Sequence, residues 1–256
     1  MKELSVAERA CLEAGKVALK FLDSGFEVRH KGKFDLVTDA DIECEKRIKK
    51  IISSEFPTHA FLGEEEGKEG NSSSVWVIDP IDGTTNYAHG VEFFAHSVAL
   101  VKDGQLVCGS VYDPVRKKLY SAYSGKGATL NNRKISVSKI SDLKDALIVT
   151  GFPYNEPELE RKTLNAVHAL RGNCQDLRRF GSASLDFCFV AQGVCDVFFE
   201  YSLRPWDVAA AMLVVREAGG KVSDINGAEA AIDSGHFLAS NKLLHEKARQ
   251  FLEGVQ

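Results

Sequence analysis

The sequence of 256 residues predicts a mixed α/β fold, with an α+β N-terminal part over residues 1–140 and an α/β C-terminal part over residues 141–256. Three observations predict this. The chain opens with apolar residues at helical spacing, its middle consists of short β-rich runs between turn residues, and strand-like and helix-like segments alternate after about residue 141. No repeat or long linker separates the two parts, so we expect them to share an extensive interface.

Two helices are predicted in the N-terminal part. Apolar residues at helical spacing run from Ala7 to Leu22, and Gly25 is a plausible stop. A second helix begins near Thr38 and ends before Pro57. Its charged residues at 43–50 are interpreted as a solvated face.

The middle of the chain predicts an antiparallel meander. Residues 75–78 form a short apolar β-rich run, and Asp103-Gly104 separates two further runs at 95–101 and 106–112, which is the pattern of a hairpin. Turn residues then precede and follow a strand at 118–123.

The C-terminal part alternates between the two kinds of element. The predicted strands are 146–150, 196–199, 221–223 and 237–240, and the predicted helices are 159–170, 182–192 and 206–218. The last of these helices should end at Gly219-Gly220.

Composition excludes several classes of protein. The formal net charge of −4 gives no basic excess for binding nucleic acid. No apolar stretch is long enough for a membrane span, and the first residues lack the apolar core of a signal peptide, so we expect a cytoplasmic protein without a membrane partner. The six cysteines include no CxxC pair and are interpreted as reduced thiols.

The most informative motif is DPIDGTT at residues 79–85, directly after a buried strand. Asp79 and Asp82 lie three residues apart on a turn, so their carboxylates can converge on a hard divalent cation, together with the carbonyl of Ile81. Gly83 and Thr84 offer N–H groups to a phosphate oxygen. The alternative is a common Asp-rich turn in which Asp82 caps a helix.

Two further acidic sites have ordinary explanations when taken alone. Glu64 to Glu66 follow an apolar pair and suit an exposed acidic loop. Asp207 stands at the start of an otherwise apolar helix and suits an N-cap.

Together, these segments resemble the inositol monophosphatase family in order and approximate spacing. The three signature segments are GEE at 63–65, DPIDGTTN at 79–86 and WDVAA at 206–210. Residues 35–41 resemble the family's N-terminal segment, and residues 178–183 and 200–205 resemble its bacterial members. The resemblance covers nearly the whole chain and implies the layered α-β-α-β-α sandwich of the inositol monophosphatase and fructose-1,6-bisphosphatase type.

The resemblance also implies a role for each matching residue. Two or three Mg²⁺ ions would be held by Glu64, Asp79, Ile81, Asp82 and Asp207. Thr84, paired with Asp41, would orient or deprotonate the attacking water, with Glu64 also serving catalysis. The substrate would contact Ile81, Asp82, Gly83, Thr84, Arg178, Gly181, Ser182, Ala183, Glu200 and Asp207. Asp41 also fits a capping box with Thr38, and the two roles can coexist.

The implied activity is hydrolysis of a small phosphorylated metabolite by metal-activated water. Glu200 suits hydrogen bonding to polyol hydroxyls, which favours myo-inositol 1-phosphate. Fructose 1,6-bisphosphate, histidinol phosphate and 3′-phosphoadenosine nucleotides are the alternatives, and a regulatory binding protein is the non-enzyme alternative. No Cys-x5-Arg signature for a thiolate mechanism is present. The resemblance further implies a homodimer and inhibition by Li⁺.

Overall fold

The computed structural model describes residues 1–30, 36–154 and 156–253. Asp35, part of the N-terminal segment that resembles the family, lies outside the described residues. The helices are α1 (Lys2–Ser24), α2 (Asp39–Glu55), α3 (Thr84–Ala88), α4 (Pro157–Arg171), α5 (Ala183–Gln192), α6 (Pro205–Glu217) and α7 (His245–Glu253).

Most strands belong to two sheets. The first sheet has the order β10-β9-β8-β7-β6-β5-β3-β4 and the second the order β12-β11-β13-β15-β14, while β1 and β2 form a separate pair. The strands are β1 (Val28–His30), β2 (Leu36–Thr38), β3 (Ala60–Gly63), β4 (Gly67–Glu69), β5 (Ser74–Asp82), β6 (Ala95–Lys102), β7 (Gln105–Asp113), β8 (Lys118–Tyr123), β9 (Ala128–Leu130), β10 (Arg133–Lys134), β11 (Leu147–Thr150), β12 (Asp176–Arg178), β13 (Val197–Glu200), β14 (Lys221–Ser223) and β15 (Phe237–Ser240).

The elements stack in five layers, as the resemblance implies. One apolar core lies between the α1/α2 pair and the first sheet, and it contains Ala14, Ile48 and Ile78. The central core joins the two sheets through α5 and α6. A third core packs α4 and α7 on the outer face of the second sheet. The order is therefore α-β-α-β-α, and the central core joins both parts of the chain, although their boundary near residue 140 stays a prediction.

Several predicted elements are confirmed. α1 ends at Gly25, whose φ is 87° and whose N–H donates to the Phe21 carbonyl at 2.8 Å. β6 and β7 form the expected hairpin, and β8 begins and ends at the predicted residues. The run at 75–78 is longer than predicted, because β5 continues through Asp82. The sequence patterns did not predict β3, which is short, or α7.

The solvated face predicted for residues 43–50 is wrong at two positions. Glu45 is fully buried and Lys49 is only 8% exposed, because the loop after β3 covers this side of α2. A charged residue at helical spacing predicts solvent exposure only if no other segment packs over it. Glu43, Lys46 and Lys50 are exposed as predicted, and Arg47 is partly exposed.

The start of α6 also differs from the simplest reading of the sequence. Asp207 is the third residue of the helix and not its N-cap, because the helix begins at Pro205 after Arg204. Gly109 of β7 lets the helix approach the sheet, since a Cβ there would lie 2.7 Å from the Cα of Ala210. This close packing carries the N-terminus of α6 to the edge where β5 ends.

Candidate active site

Two acidic residues meet where β3 ends beside the parallel strand β5. β3 pairs in parallel with β5, and Gly63 is opposite Ile78. Glu64 and Asp79 each follow directly, and the Glu64 N–H donates to the Ile78 carbonyl at 3.2 Å. Because the two strands run parallel, the residues that follow Gly63 and Ile78 lie side by side, so these two side chains are neighbours although they lie far apart in sequence.

A bulge in β5 turns the next carboxylate toward the same place. The register against β6 shifts between Asp79 and Asp82. Asp79 is 1% exposed, and its Oδ1 has no hydrogen-bond partner among the described residues. A buried carboxylate oxygen without a donor is costly, so this atom indicates a missing cationic partner.

Asp82 does not cap α3, the helix that follows it. Gly83 is the N-cap of α3, and Asp82 instead faces the N-terminus of α5. It accepts the backbone N–H groups of Ala183 at 3.2 Å and Ser184 at 2.7 Å, together with both neighbouring hydroxyls, those of Ser182 and Ser184. This carboxylate therefore joins the DPIDGTT turn to the C-terminal part of the chain.

Asp207 reaches the same edge from α6. Its Oδ2 accepts the Arg204 N–H at 2.7 Å, which is the side-chain half of a capping arrangement. The hydroxyl of Ser97 in β6 donates to the carbonyl of Trp206 at 3.4 Å and ties the helix start to the sheet.

Thr84 and Asp41 form the predicted pair. The Thr84 hydroxyl lies 3.3 Å from Asp41 Oδ1 and 2.9 Å from the Ile81 carbonyl. Asp41 is buried, and its Oδ2 also accepts the Thr38 N–H at 2.7 Å, which completes a capping box. The contact to Thr84 and the cap are therefore made by the same side chain.

One open cavity collects these residues. Of the residues expected from the sequence, it is lined by Glu64, Asp79, Ile81, Asp82, Gly83, Thr84, Gly181, Ser182, Ala183, Glu200 and Asp207. Four of these carboxylates, those of Glu64, Asp79, Asp82 and Asp207, come from three distant segments and border a single space, which is the condition on which a shared metal site depends.

The cavity also has lining residues to which the sequence analysis assigned no role. They are Leu36, Thr85, Gly151, Phe152, Tyr154, Arg179, Asp186 and Leu203. The structure places Arg179 at the cavity in place of Arg178, whose guanidinium binds Asp176 and the Leu177 carbonyl on the surface. β12 ends at Arg178, and Arg179, the next residue, lines the cavity.

Burial and mutual repulsion raise the pKa values of the clustered carboxylates. The pKa of Asp79 lies well above its ordinary value, because of burial first and then the charges of Glu64, Asp82 and Asp207. The pKa of Asp207 is also well above normal, chiefly through burial, and the N–H of Arg204 opposes this only in part. Burial raises the pKa of Asp82 despite the four donors at the start of α5.

Two further acidic residues, Glu200 and Asp186, line the cavity. Burial raises the pKa of Glu200 to about 8, opposed by Arg179. A Cβ on Gly151 would lie 2.1 Å from Glu200 Oε1, so only glycine leaves room for this carboxyl group. Asp186 is 1% exposed, and its Oδ1 has no partner among the described residues.

Gly83 satisfies two separate requirements at the turn. Its φ is 94°, a left-handed conformation that side chains rarely adopt. A Cβ there would lie 3.0 Å from the Gly181 carbonyl and 3.2 Å from the Phe93 carbonyl. The glycine of the motif is thus explained by backbone strain and by a close approach of the two parts of the chain.

Comparison with known proteins agrees with this geometry. The model of the inositol monophosphatase family matches residues 2–256. The chain belongs to the inositol monophosphatase family. A relative named Nus factor SuhB from Pasteurella multocida is 40% identical over 245 residues, covering 93% of this chain and 90% of the relative. The relative of the same name from Escherichia coli K12 is 41% identical over 242 residues, covering 93% and 91%.

Solved structures of the family superpose closely. The extragenic suppressor protein suhB from Bartonella henselae has a TM-score of 0.95 at 35% identity and covers 99% of both chains. The inositol monophosphatase from Anabaena has a TM-score of 0.90 at 37% identity, covering 100% of this chain and 96% of that one. Membership of the inositol monophosphatase family supports a phosphatase activity, in a family that is generally metal-dependent.

The donor chemistry of the cavity fits the metal dependence of the inositol monophosphatase family. Its carboxylates supply hard oxygen ligands, and the partnerless Oδ1 of Asp79 lies among like charges that a divalent cation would neutralise. As they stand, the described residues include no group of three or more His, Cys, Asp or Glu side chains already arranged to hold a metal ion. Asp82 and Asp207 accept backbone N–H groups at the starts of α5 and α6.

No described helix combines the length and apolar character that crossing a bilayer demands.

Proposed function

We propose that this protein hydrolyses a small phosphate monoester with Mg²⁺, and that myo-inositol 1-phosphate is the best-supported substrate. The observation that supports this most strongly is the gathering of Glu64, Asp79, Asp82 and Asp207 around one cavity. The Thr84–Asp41 pair lies beside this cluster, and Glu200 lines the same cavity.

The proposed mechanism needs no covalent intermediate. Two or three Mg²⁺ ions held by Glu64, Asp79, Asp82, Asp207 and the Ile81 carbonyl would lower the pKa of a bound water and offset the charge of the phosphate. The Thr84 hydroxyl, 3.3 Å from Asp41, would orient the attacking water. Asp41 would accept the proton that this water loses.

The remaining residues of the cavity would hold the substrate. The N–H groups of Gly83 and Thr84 would bind phosphate oxygens. Gly181, Ser182 and Ala183 would line the leaving group, and Glu200 would accept hydrogen bonds from its hydroxyls. Arg178, bound to Asp176 on the surface, is replaced in this proposal by Arg179.

A substrate panel tests the proposal. Purified protein with Mg²⁺ would be assayed on myo-inositol 1-phosphate, fructose 1,6-bisphosphate, histidinol phosphate and a 3′-phosphoadenosine nucleotide. We expect the highest kcat/KM for myo-inositol 1-phosphate, because an acidic wall suits a hydroxyl-rich leaving group better than a second phosphate. Staphylococcus aureus SaIMPase-II, 28–29% identical, has been solved with inositol monophosphate and with 2′-AMP, so a 2′-nucleotide belongs in the panel. If the protein hydrolyses no substrate of this panel, the proposal is rejected.

A regulatory role is a second candidate, because relatives at 40–41% identity are named Nus factors. That name stands against the expectation of no nucleic-acid partner, which rested on the net charge of −4. If the second candidate holds, an inactive Asp79→Asn protein should still restore growth of a deletion strain. Restoration by the wild type alone would assign the phenotype to catalysis.

Oligomeric state, lithium sensitivity and location are further proposals from the family resemblance. We expect a homodimer, and a monomeric mass by light scattering would contradict it. We expect Li⁺ to inhibit by competing for a metal position, and unchanged activity in added lithium would count against that. A cytoplasmic location is proposed with them and can be checked by cell fractionation.

A further inference from the structure

A polar seam is buried on one face of α2. Asp41, Glu45 and Lys49 follow each other at intervals of four residues, so they lie above one another on the helix. Their exposures are 0%, 0% and 8%. Burying three ionisable side chains in a row is costly unless each is paired, so their partners need to be identified.

Glu45 binds the backbone of the acidic loop after β3. Its Oε2 accepts the Glu65 N–H at 2.9 Å, and its Oε1 accepts the Glu66 N–H at 3.1 Å. A Cβ on Gly63 would lie 2.2 Å from Glu45 Oε1, so the glycine of the GEE segment is needed to admit this carboxylate. Glu45 therefore contacts the residues on both sides of Glu64.

Lys49 neutralises the charge of this arrangement. Its Nζ lies 2.8 Å from Glu45 Oε1 and 2.8 Å from Glu66 Oε2, and it also binds Glu69 of β4. The loop carries three consecutive carboxylates, which repel each other, and Lys49 is the cation that the structure places beneath them. The carboxylate of Glu45 and the ammonium group of Lys49 thus hold the loop against α2.

We propose that Glu45 is a positioning residue that fixes Glu64 for binding a divalent cation. One face of α2 then positions two parts of the site. Asp41 contacts Thr84, and Glu45, one helical turn later, binds the loop that carries Glu64. A carboxylate is required, since two separate oxygens accept two N–H groups. The amide of glutamine would turn an NH₂ toward one of these donors. This inference rests on the proposed metal-dependent function.

The test compares Glu45→Gln with Glu43→Gln, the same substitution on the exposed side of α2. Calorimetric titration of the metal-free proteins with Mg²⁺, and the rise in Tm that Mg²⁺ produces, report affinity without turnover. We expect Glu45→Gln to weaken Mg²⁺ binding by about 10- to 100-fold. Its kcat at saturating Mg²⁺ should recover most of the wild-type value, and Glu43→Gln should match the wild type throughout.

Folding and Mg²⁺ affinity of the variants together support or overturn the inference. Glu45→Gln should fold, because Lys49 keeps Glu66 and Glu69 as partners. If it does not, Glu45→Gln with Lys49→Met removes both buried charges and should restore folding with weak Mg²⁺ binding. Wild-type affinity in either folded variant would overturn the inference, as would failure of both to fold, since Glu45 would then act on stability alone. If the wild type itself binds no Mg²⁺, the proposed function fails instead.

Discussion

Asp79→Asn should lower kcat/KM on the best substrate by at least about a thousand-fold, equivalent to about 4 kcal/mol of transition-state stabilisation. Asp79 lies at the centre of the carboxylate cluster, with Glu64, Asp82 and Asp207 as its charged neighbours. The substitution removes a negative charge and leaves an amide that binds divalent cations weakly. Steady-state kinetics over a wide range of Mg²⁺ concentration would measure the loss, and Asp207→Asn should behave in the same way.

Stability separates this loss from misfolding. Burial and repulsion raise the pKa of Asp79 well above normal, so the charged carboxylate destabilises the metal-free fold, and neutral Asn relieves that cost. The metal-free variant should therefore melt at or above the wild-type Tm at pH 8. Asp103→Asn is the matched control, because Asp103 is exposed at a hairpin turn with φ 50°, which asparagine tolerates. Activity retained by both Asp79→Asn and Asp207→Asn would reject the metal-dependent mechanism.

The metal-free protein should lose stability as pH rises from 7 to 8, and Mg²⁺ should restore it. The pKa values of Asp79, Asp82, Asp207 and Glu200 are higher in the folded chain than in the unfolded one. The folded state therefore binds more protons than the unfolded state. The contribution of these carboxyl groups to the free energy of unfolding declines as the pH rises from about 4, near the unfolded carboxyl pKa values, through about 8, the pKa of Glu200. Thermal melts in a chelating buffer would measure this decline.

The contributions of other titrating groups to the pH dependence of stability can be distinguished by their response to Mg²⁺. Burial lowers the pKa values of His96 and His245 to about 4, so these residues favour stability as pH rises, mainly below pH 7. They do not line the cavity and should not respond to Mg²⁺. Mg²⁺ must displace protons from the carboxylates, so the Tm increase that it causes should be larger at pH 8 than at pH 6. Equal increases at the two pH values would contradict this account.

Local sequence was sufficient to predict site residues where several of them lie in one short segment. The DPIDGTT turn shows two carboxylates, a glycine and a threonine within seven residues, and the structure places all four at the cavity. Helical and strand periodicity predicted α1, β8 and most of the C-terminal alternation, because amphipathic spacing and turn residues are local properties.

Local sequence was insufficient where a distant segment decides the environment of a side chain. Glu45 and Lys49 have the spacing of a solvated face, and they are buried because the loop after β3 folds over them. Asp186 stands in an apolar helix pattern and faces the cavity only because α5 packs beside Asp82. Arg178 and Arg179 are adjacent and of the same type in the sequence, and the structure distinguishes them because only Arg179 lines the cavity while Arg178 binds Asp176.

The sequence by itself determined most of the types of element, the acidic residues of the signature segments and the family, since these depend on residue identity and spacing along the chain. Tertiary structure alone decided the parallel pairing of β3 with β5, the bulge before Asp82 and the close packing of α6 on Gly109. Each of these depends on contacts between segments far apart in sequence. Together they bring the carboxylates of Glu64, Asp79, Asp82 and Asp207 to one cavity, where burial and mutual repulsion raise the pKa of Asp79.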